Sequence, residues 1–129
     1  MPIISEETVK LLNNHLNEEH YSANLYFNMA GWCSKQGLKG CASFLNNHSA
    51  EEHTHLEKLN EFIKKVDGQP IMGAMKEPEH SFSSAEEVFE KIKQFIRNKI
   101  KMQIKFIFTK EIFIQVIIYK KLKFIKCLD

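Results

Sequence analysis

The sequence lacks the features that mark secreted, membrane-spanning or disulfide-stabilised proteins. Its amino terminus has neither a basic region nor an apolar run, so no signal peptide is expected. No apolar stretch reaches the roughly 18 residues of a membrane span. The three cysteines are odd in number and form no C-x-x-C pair, which argues against a disulfide framework and a cysteine zinc site. We expect a cytoplasmic protein without membrane contact.

The last part of the chain lacks five common residue types. Residues 92–129 contain no Gly, Pro, Ala, Ser or His, and 24 of these 38 residues are Ile, Lys or Phe. Residues 1–91 carry 8 Lys/Arg against 14 Asp/Glu, a net charge of −6, whereas 92–129 carry 10 against 2, a net charge of +8. This basic segment has no nucleic-acid motif, so no such partner is expected. We therefore divide the chain into a helical domain, 1–92, and an atypical tail, 93–129.

Apolar residues recur at helical spacing in two segments before a long connection. The first begins at Ser5, a capping residue followed by acids, and ends near Ser34. The second runs from about Lys39 to Val66, and the short connection makes the two helices antiparallel neighbours. Residues 67–83 hold two prolines and two glycines without periodicity, which suits a crossover to the far end of a bundle.

A capping box at Ser84 and Glu87 begins a third amphipathic helix, which continues to about Lys105. Residues 112–119 are β-branched, aromatic and uncharged, a signature of a strand or of aggregation. The predicted fold is an all-α helical bundle made of an antiparallel pair, a long crossover and a third helix, with an irregular carboxyl-terminal part.

Three ionisable side chains fall on the apolar faces of the first two predicted helices: Glu19, Glu52 and His55. A carboxylate on an apolar face is costly unless it is paired or bound to a cation. The Glu-x-x-His spacing sets a carboxylate beside an imidazole, and antiparallel packing brings Glu19 to a compatible height. The three predict a site for iron, manganese or zinc. A buried Glu–His hydrogen-bonded pair without metal is the alternative.

The other polar residues near this predicted site are not interpreted as its ligands. Tyr26 lies two turns after Glu19 on the same face and could hydrogen-bond near it. His48 is interpreted as a packed core histidine or a partner of the ligands, and Glu51 as a solvated residue or a ligand of a peripheral ion. Three further histidines are interpreted as surface residues: His15, His20 and His53.

Several motifs resemble those of bacterial non-haem ferritins. They are Asn17-Glu18-Glu19-His20-Tyr21-Ser22, Leu25-Tyr26, Trp32-Cys33-Ser34, Phe44-Leu45, His48, Glu51-Glu52-His53-Thr54-His55, Pro78-Glu79-His80, Ser83-Ser84 and Phe89. The resemblance covers about residues 5–92 and implies the ferritin-like di-iron bundle, in which a chain oxidises iron(II) with dioxygen or peroxide and stores iron(III) in a cage of identical subunits.

The resemblance also implies residue roles. Glu19, Glu52 and His55 match the ligands of the first iron of a ferroxidase centre, with Glu52 expected to bridge to the second. Tyr26 matches the tyrosine beside that centre, and Glu51 matches an acid at an additional iron site.

The family's pattern is lost in the third helix. The family places there a His-Glu-Gln run whose Glu binds the second iron, whereas this chain has Lys93 or Ile96. The acidic cluster of the fourth helix and the final helix that lines the cage have no counterpart in residues 93–129. We therefore predict an impaired ferroxidase with half of a two-iron centre. The family implies a cage of identical subunits, which the departures in residues 93–129 place in doubt. The alternative is a non-enzymatic truncated helical fragment that binds metal weakly.

A shift of reading frame near codon 92 would explain the change in composition. Translation of the other two frames tests this hypothesis, because one of them should contain a His-Glu-Gln run followed by a Glu-rich helix. A different di-iron carboxylate oxidase on the same fold would need a second Glu-x-x-His, which the tail lacks.

Overall fold

Three helices account for most of residues 4–107, the part of the chain that the computed structural model describes, with side chains described through residue 99. They are α1 (Glu6–Lys35), α2 (Lys39–Lys65) and α3 (Ala85–Ile107). The all-α prediction is confirmed within the described range. None of the described helices combines the length and apolar character needed to cross a membrane.

Two expectations concern the carboxyl-terminal part of the chain. The strand-like segment 112–119 lies outside the described residues. The helix α3 continues without a break through the expected boundary at residue 92 and beyond Lys105. The division of the chain into a helical domain and an atypical tail stays a prediction.

The helix ends follow from local hydrogen bonds. Ser5 Oγ accepts the N–H of Thr8 at 3.1 Å and so caps α1, and Ser84 Oγ accepts the N–H of Glu87 at 3.1 Å before α3. Gly37 ends α1 with a φ of 78°, a left-handed conformation that costs glycine little. The predicted caps at Ser5 and Ser84 are therefore confirmed. The reciprocal bond of the predicted capping box differs, because the Glu87 carboxylate accepts the N–H of Ser83 at 2.6 Å.

The helix α2 ends in the same left-handed conformation but without glycine at that position. Asp67 has a φ of 61°, and the N–H of Gly68 then donates to Ile63 O at 2.9 Å. A Cβ added to Gly68 would lie 3.0 Å from Ile63 Cγ2 and 3.1 Å from Val9 Cγ1. Asp67 therefore makes the turn, and Gly68 allows the chain to pass close to both helices.

Helices α1 and α2 pack side by side around two apolar clusters. One cluster lies at the connection between them and includes residues of α3; the other lies at the opposite end. The first comprises Leu25, Tyr26, Met29, Ala30, Cys33, Ala42, Leu45, Val88 and Ile92, and the second comprises Ile4, Leu12, Leu16, Ile63 and Val66. Apart from Thr8 near the start of α1, the buried polar residues of α1 and α2 lie between the two clusters along these helices, which places the candidate site near the middle of the pair.

The crossover, residues 67–83, follows α1 because asparagine side chains bind its backbone. Asn13 Nδ2 donates to Gln69 O at 3.0 Å, and Asn13 Oδ1 accepts the N–H of Ile71 at 2.8 Å. One turn later, Asn17 Nδ2 donates to Ile71 O at 2.9 Å, and Asn17 Oδ1 accepts the N–H of Gly73 at 2.7 Å. These bonds satisfy backbone groups that have no ladder of their own and direct the chain towards the start of α3.

Substitution of Asn17 should therefore loosen the crossover. We expect Asn17→Ala to lower the free energy of unfolding by about 1–2 kcal/mol, because two backbone groups lose their partners at a partly hydrated surface. Urea unfolding followed by circular dichroism measures the change. Asn14→Ala, an exposed asparagine of the same helix, is the matched control and should have an effect below about 0.5 kcal/mol. Equal effects of the two substitutions would contradict the role of Asn17.

Candidate metal centre

The three ionisable residues predicted on the apolar faces converge in the structure. One ligand atom from each of Glu19, Glu52 and His55 lies within 4.8 Å of the others. His55 Nδ1 is 3.5 Å from Glu19 Oε2 and 3.6 Å from Glu52 Oε2. The i, i+3 spacing on α2 brings two of these groups together, and packing of α1 against α2 supplies the third.

The two carboxylates and the imidazole differ in exposure. Glu19 is 1% exposed and Glu52 is also buried, whereas the side chain of His55 is 44% exposed. Ser49 Oγ donates to Ala23 O at 2.8 Å and links the two helices beside the carboxylates. The carboxylates therefore form the floor of the site, and the imidazole stands at its rim.

His15 is a further member of the site that sequence reasoning missed. Its Nε2 lies 3.3 Å from Glu19 Oε1, and its side chain is only 19% exposed. The interpretation of His15 as a surface residue was wrong, because one turn of α1 separates it from the buried carboxylate. The i, i+4 spacing to Glu19 was the available signal.

Lys99 of α3 is the second residue that sequence reasoning missed. Its Nζ donates to Glu52 Oε2 at 2.7 Å and to Glu19 Oε2 at 3.1 Å. It continues the apolar stripe of Val88, Ile92 and Phe95 along α3. The signal was therefore the same as for Glu19, a charged residue on an apolar face.

The surrounding groups shift the two carboxylate pKa values in opposite directions. Burial raises the pKa of Glu19, but hydrogen bonds with His15, Glu52 and Lys99 outweigh burial and lower it to about 2. Burial and the hydrogen bond with Glu19 raise the pKa of Glu52, against the opposing effect of Lys99. A proton that enters the pair therefore goes to Glu52 first.

Tyr26 lies next to the carboxylates on α1 and is buried. Burial, followed by the negative charges of Glu52, Glu19 and Glu51, raises the pKa of its phenol to about 12. Its ring meets that of His48, with centroids 5.9 Å apart. At neutral pH the hydroxyl therefore keeps its proton and remains a donor.

The remaining predicted residues lie outside the convergent group. Glu51 is exposed, as expected, with His48 Nδ1 3.8 Å from its carboxylate. His48 is only half-buried and packs against Phe44, so it is not a core histidine. Its other interpretation, as a partner of the ligands, stays a prediction. The structure places His53 at the surface, whereas His20 is half-buried, with Nδ1 buried and unpartnered among the described atoms.

Comparison with known proteins supports the fold and the family. The family model for the ferritin-like domain matches residues 9–105. A probable bacterial non-heme ferritin-like protein of Haemophilus influenzae is 42% identical over 88 residues, which cover 68% of this chain and 53% of that protein. A bacterial non-heme ferritin of Campylobacter jejuni is 38% identical over 110 residues, covering 83% of this chain and 66% of that protein.

Solved structures of ferritins have a fold similar to that of this chain. An open pore ferritin from the archaeon Archaeoglobus fulgidus superposes with a TM-score of 0.78 at 32% identity, covering 81% of this chain and 64% of that one. An engineered closed form of the Archaeoglobus fulgidus ferritin gives 0.80 at 29% identity, covering 97% and 74%. The chain spans about half to two thirds of the length of the two curated relatives above. With the family match extending over most of its length, this chain belongs to the ferritin-like domain family.

Proposed function

We propose that this chain binds iron(II) at Glu19, Glu52 and His55 and oxidises it with dioxygen or peroxide, as a contribution to iron storage. The observation that carries the proposal is the convergence of these three ligand groups between two packed helices of a ferritin-like chain. Carboxylate oxygen and imidazole nitrogen suit iron. The two described cysteines are free thiols, compatible with the cytoplasmic setting that we propose.

Each residue has a distinct part in this proposal. Glu19 and Glu52 supply negative charge that favours a cation over neutral molecules, and His55 supplies a nitrogen ligand at the accessible rim. Tyr26 contributes a protonated phenol beside the carboxylates. Glu51 offers a separate, exposed position for an additional ion.

We propose that the oxidation is impaired, because residues 93–129 hold no counterpart to the ligands that the third and fourth helices contribute in the family. One iron(II) ion provides one electron, whereas reduction of dioxygen to peroxide takes two. Two-metal sites meet such a requirement by holding the ions a few ångströms apart. We therefore propose slow oxidation at a single well-formed position, in which two iron(II) ions give up one electron each, one after the other, for every dioxygen that takes up two electrons and two protons to become hydrogen peroxide.

A second candidate function is a non-enzymatic helical chain that binds metal weakly and does not assemble. The observation that favours it is the ion pairing of Lys99 with both carboxylates, which satisfies their charge without a metal. The two candidates predict different responses to added iron.

Oxygen consumption after addition of iron(II) to the full chain separates the candidates. We expect iron-dependent uptake that falls by at least about 10-fold in Glu52→Gln, because one ligand charge is lost. Glu57→Gln, an exposed glutamate of the same helix, is the control and should behave as the unchanged chain. No iron-dependent uptake together with a monomeric mass on size exclusion would favour the non-enzymatic candidate. A size-exclusion mass equal to many subunits would show that the chain also assembles into an oligomer.

A further inference from the structure

The ammonium group of Lys99 lies where the candidate site would hold its metal. Its Nζ contacts the Oε2 atoms of both Glu19 and Glu52, and the same two oxygens are the nearest to His55 Nδ1. The side chain of Lys99 is only 13% exposed. The two carboxylates, held together on the floor of the site, therefore share a cation that the chain itself provides.

The other lysines described on α3 make a different kind of contact. Lys91 pairs with Glu79 and Glu87 at the surface, and Lys93 pairs with Glu90 at 3.4 Å with a side chain that is 63% exposed. Such exposed pairs contribute little to stability. Among these three lysines, only Lys99 contacts buried carboxylates. Those carboxylates belong to α1 and α2, so the contact depends on how α3 packs against the other two helices.

A transition-metal ion and this ammonium group cannot occupy the position together. A carboxylate oxygen binds such a metal at about 2.0–2.2 Å. Both Oε2 atoms are already hydrogen-bonded to Nζ, and a divalent ion between them would lie within a few ångströms of a like charge. Entry of a metal therefore requires Lys99 to leave.

We infer that Lys99 is a tethered cation that closes the site, so that metal binding and docking of Lys99 on Glu19 and Glu52 exclude each other. This inference rests on the proposed metal site and adds its regulation. The apparent affinity for metal is then the intrinsic affinity multiplied by the fraction of molecules in which Lys99 is withdrawn. Metal binding in turn removes the link between α3 and the two carboxylates.

Zinc(II) titration by calorimetry, which needs no turnover, tests the inference on the full chain. We expect Lys99→Met, which keeps the apolar stem and removes the charge, to bind zinc(II) at least about 10-fold more tightly than the unchanged chain. Lys93→Met, on the exposed side of the same helix, is the matched control and should leave the affinity unchanged. Equal affinity of Lys99→Met and the unchanged chain would overturn the inference.

A second measurement uses the unchanged chain and so does not depend on the folding of a variant. Without metal, acetylation of Lys99 followed by mass spectrometry should be at least about 10-fold slower than that of Lys93, because the docked ammonium is shielded and paired. Equal rates at the two lysines would overturn the inference.

The outcomes also separate this inference from the proposed function. Tighter zinc(II) binding by Lys99→Met without iron-dependent oxygen uptake in any chain would support the closing role and contradict the oxidation. Oxygen uptake that requires Glu52, together with zinc(II) affinity that is indifferent to Lys99, would support the oxidation and overturn the closing role.

Discussion

Met29→Ala is expected to lower the free energy of unfolding by about 2–5 kcal/mol, the usual range for removing a large side chain from a packed core. Met29 is 0% exposed and lies in the apolar cluster that joins α1, α2 and α3. A small domain has about 5–15 kcal/mol of stability in total. The substitution should therefore remove a large fraction of the total stability and lower the urea concentration at which half of the protein is unfolded.

The matched control lies two residues away on the same helix. Phe27 is larger than Met29 but 66% exposed. Phe27→Ala should change the free energy of unfolding by less than about 0.5 kcal/mol, because the phenyl ring gains little from folding. Urea unfolding of both variants at one protein concentration measures the difference. A larger loss for Phe27→Ala than for Met29→Ala would mean that the orientation of α1 is wrong.

The second large predicted effect is a loss of stability when Glu19 is replaced in the metal-free chain. Its pKa is about 2 in the folded chain, below the ordinary value of 4.5, because His15, Glu52 and Lys99 outweigh its burial. A lowered carboxyl pKa contributes stability that is present above pH 4.5 and is lost as the pH falls towards 2. Removal of the Glu19 charge also removes its repulsion of the Glu52 carboxylate, and this offsets part of the lost stability. We expect Glu19→Gln to be less stable than the unchanged chain by on the order of 2 kcal/mol at pH 7.

The pH dependence of the stability difference between the unchanged chain and Glu19→Gln tests whether the pKa of Glu19 is lowered. The gap between the unchanged chain and Glu19→Gln should narrow as the pH falls from 4.5 towards 2, because Glu19 takes up a proton in the unfolded chain over this range, whereas in the folded chain it stays ionised until about pH 2. Urea unfolding at a series of pH values, with a chelator present, measures the gap. Glu61→Gln, an exposed glutamate of α2, should show almost no gap at any pH. A gap for Glu19→Gln that stays constant down to pH 3 would contradict the lowered pKa.

The sequence was most informative where the interactions are local. The cap at Ser5, the capping residue Ser84 and the helical spacing of apolar residues act over a few residues, and they predicted all three described helices. The convergence of Glu19, Glu52 and His55 needed one further step, the antiparallel packing of neighbours joined by a short connection. That step is reliable because a short connection leaves two amphipathic helices few other ways to bury their apolar faces.

The contribution of α3 could not be predicted in the same way. Its position depends on a long crossover, whose path is set by hydrogen bonds from Asn13 and Asn17 more than fifty residues earlier in the sequence. Lys99 meets Glu19 across a separation of 80 residues. No periodic pattern within α3 indicates which group on another helix a charged residue will meet.

The sequence by itself therefore determined which helices form and which carboxylates and imidazole they bring together, because spacing along a helix decides which side chains share a face. Only the tertiary structure decided which cation those carboxylates meet in the folded chain. The described fold supplies Lys99 from α3, because packing of a distant helix places an ammonium group between Glu19 and Glu52.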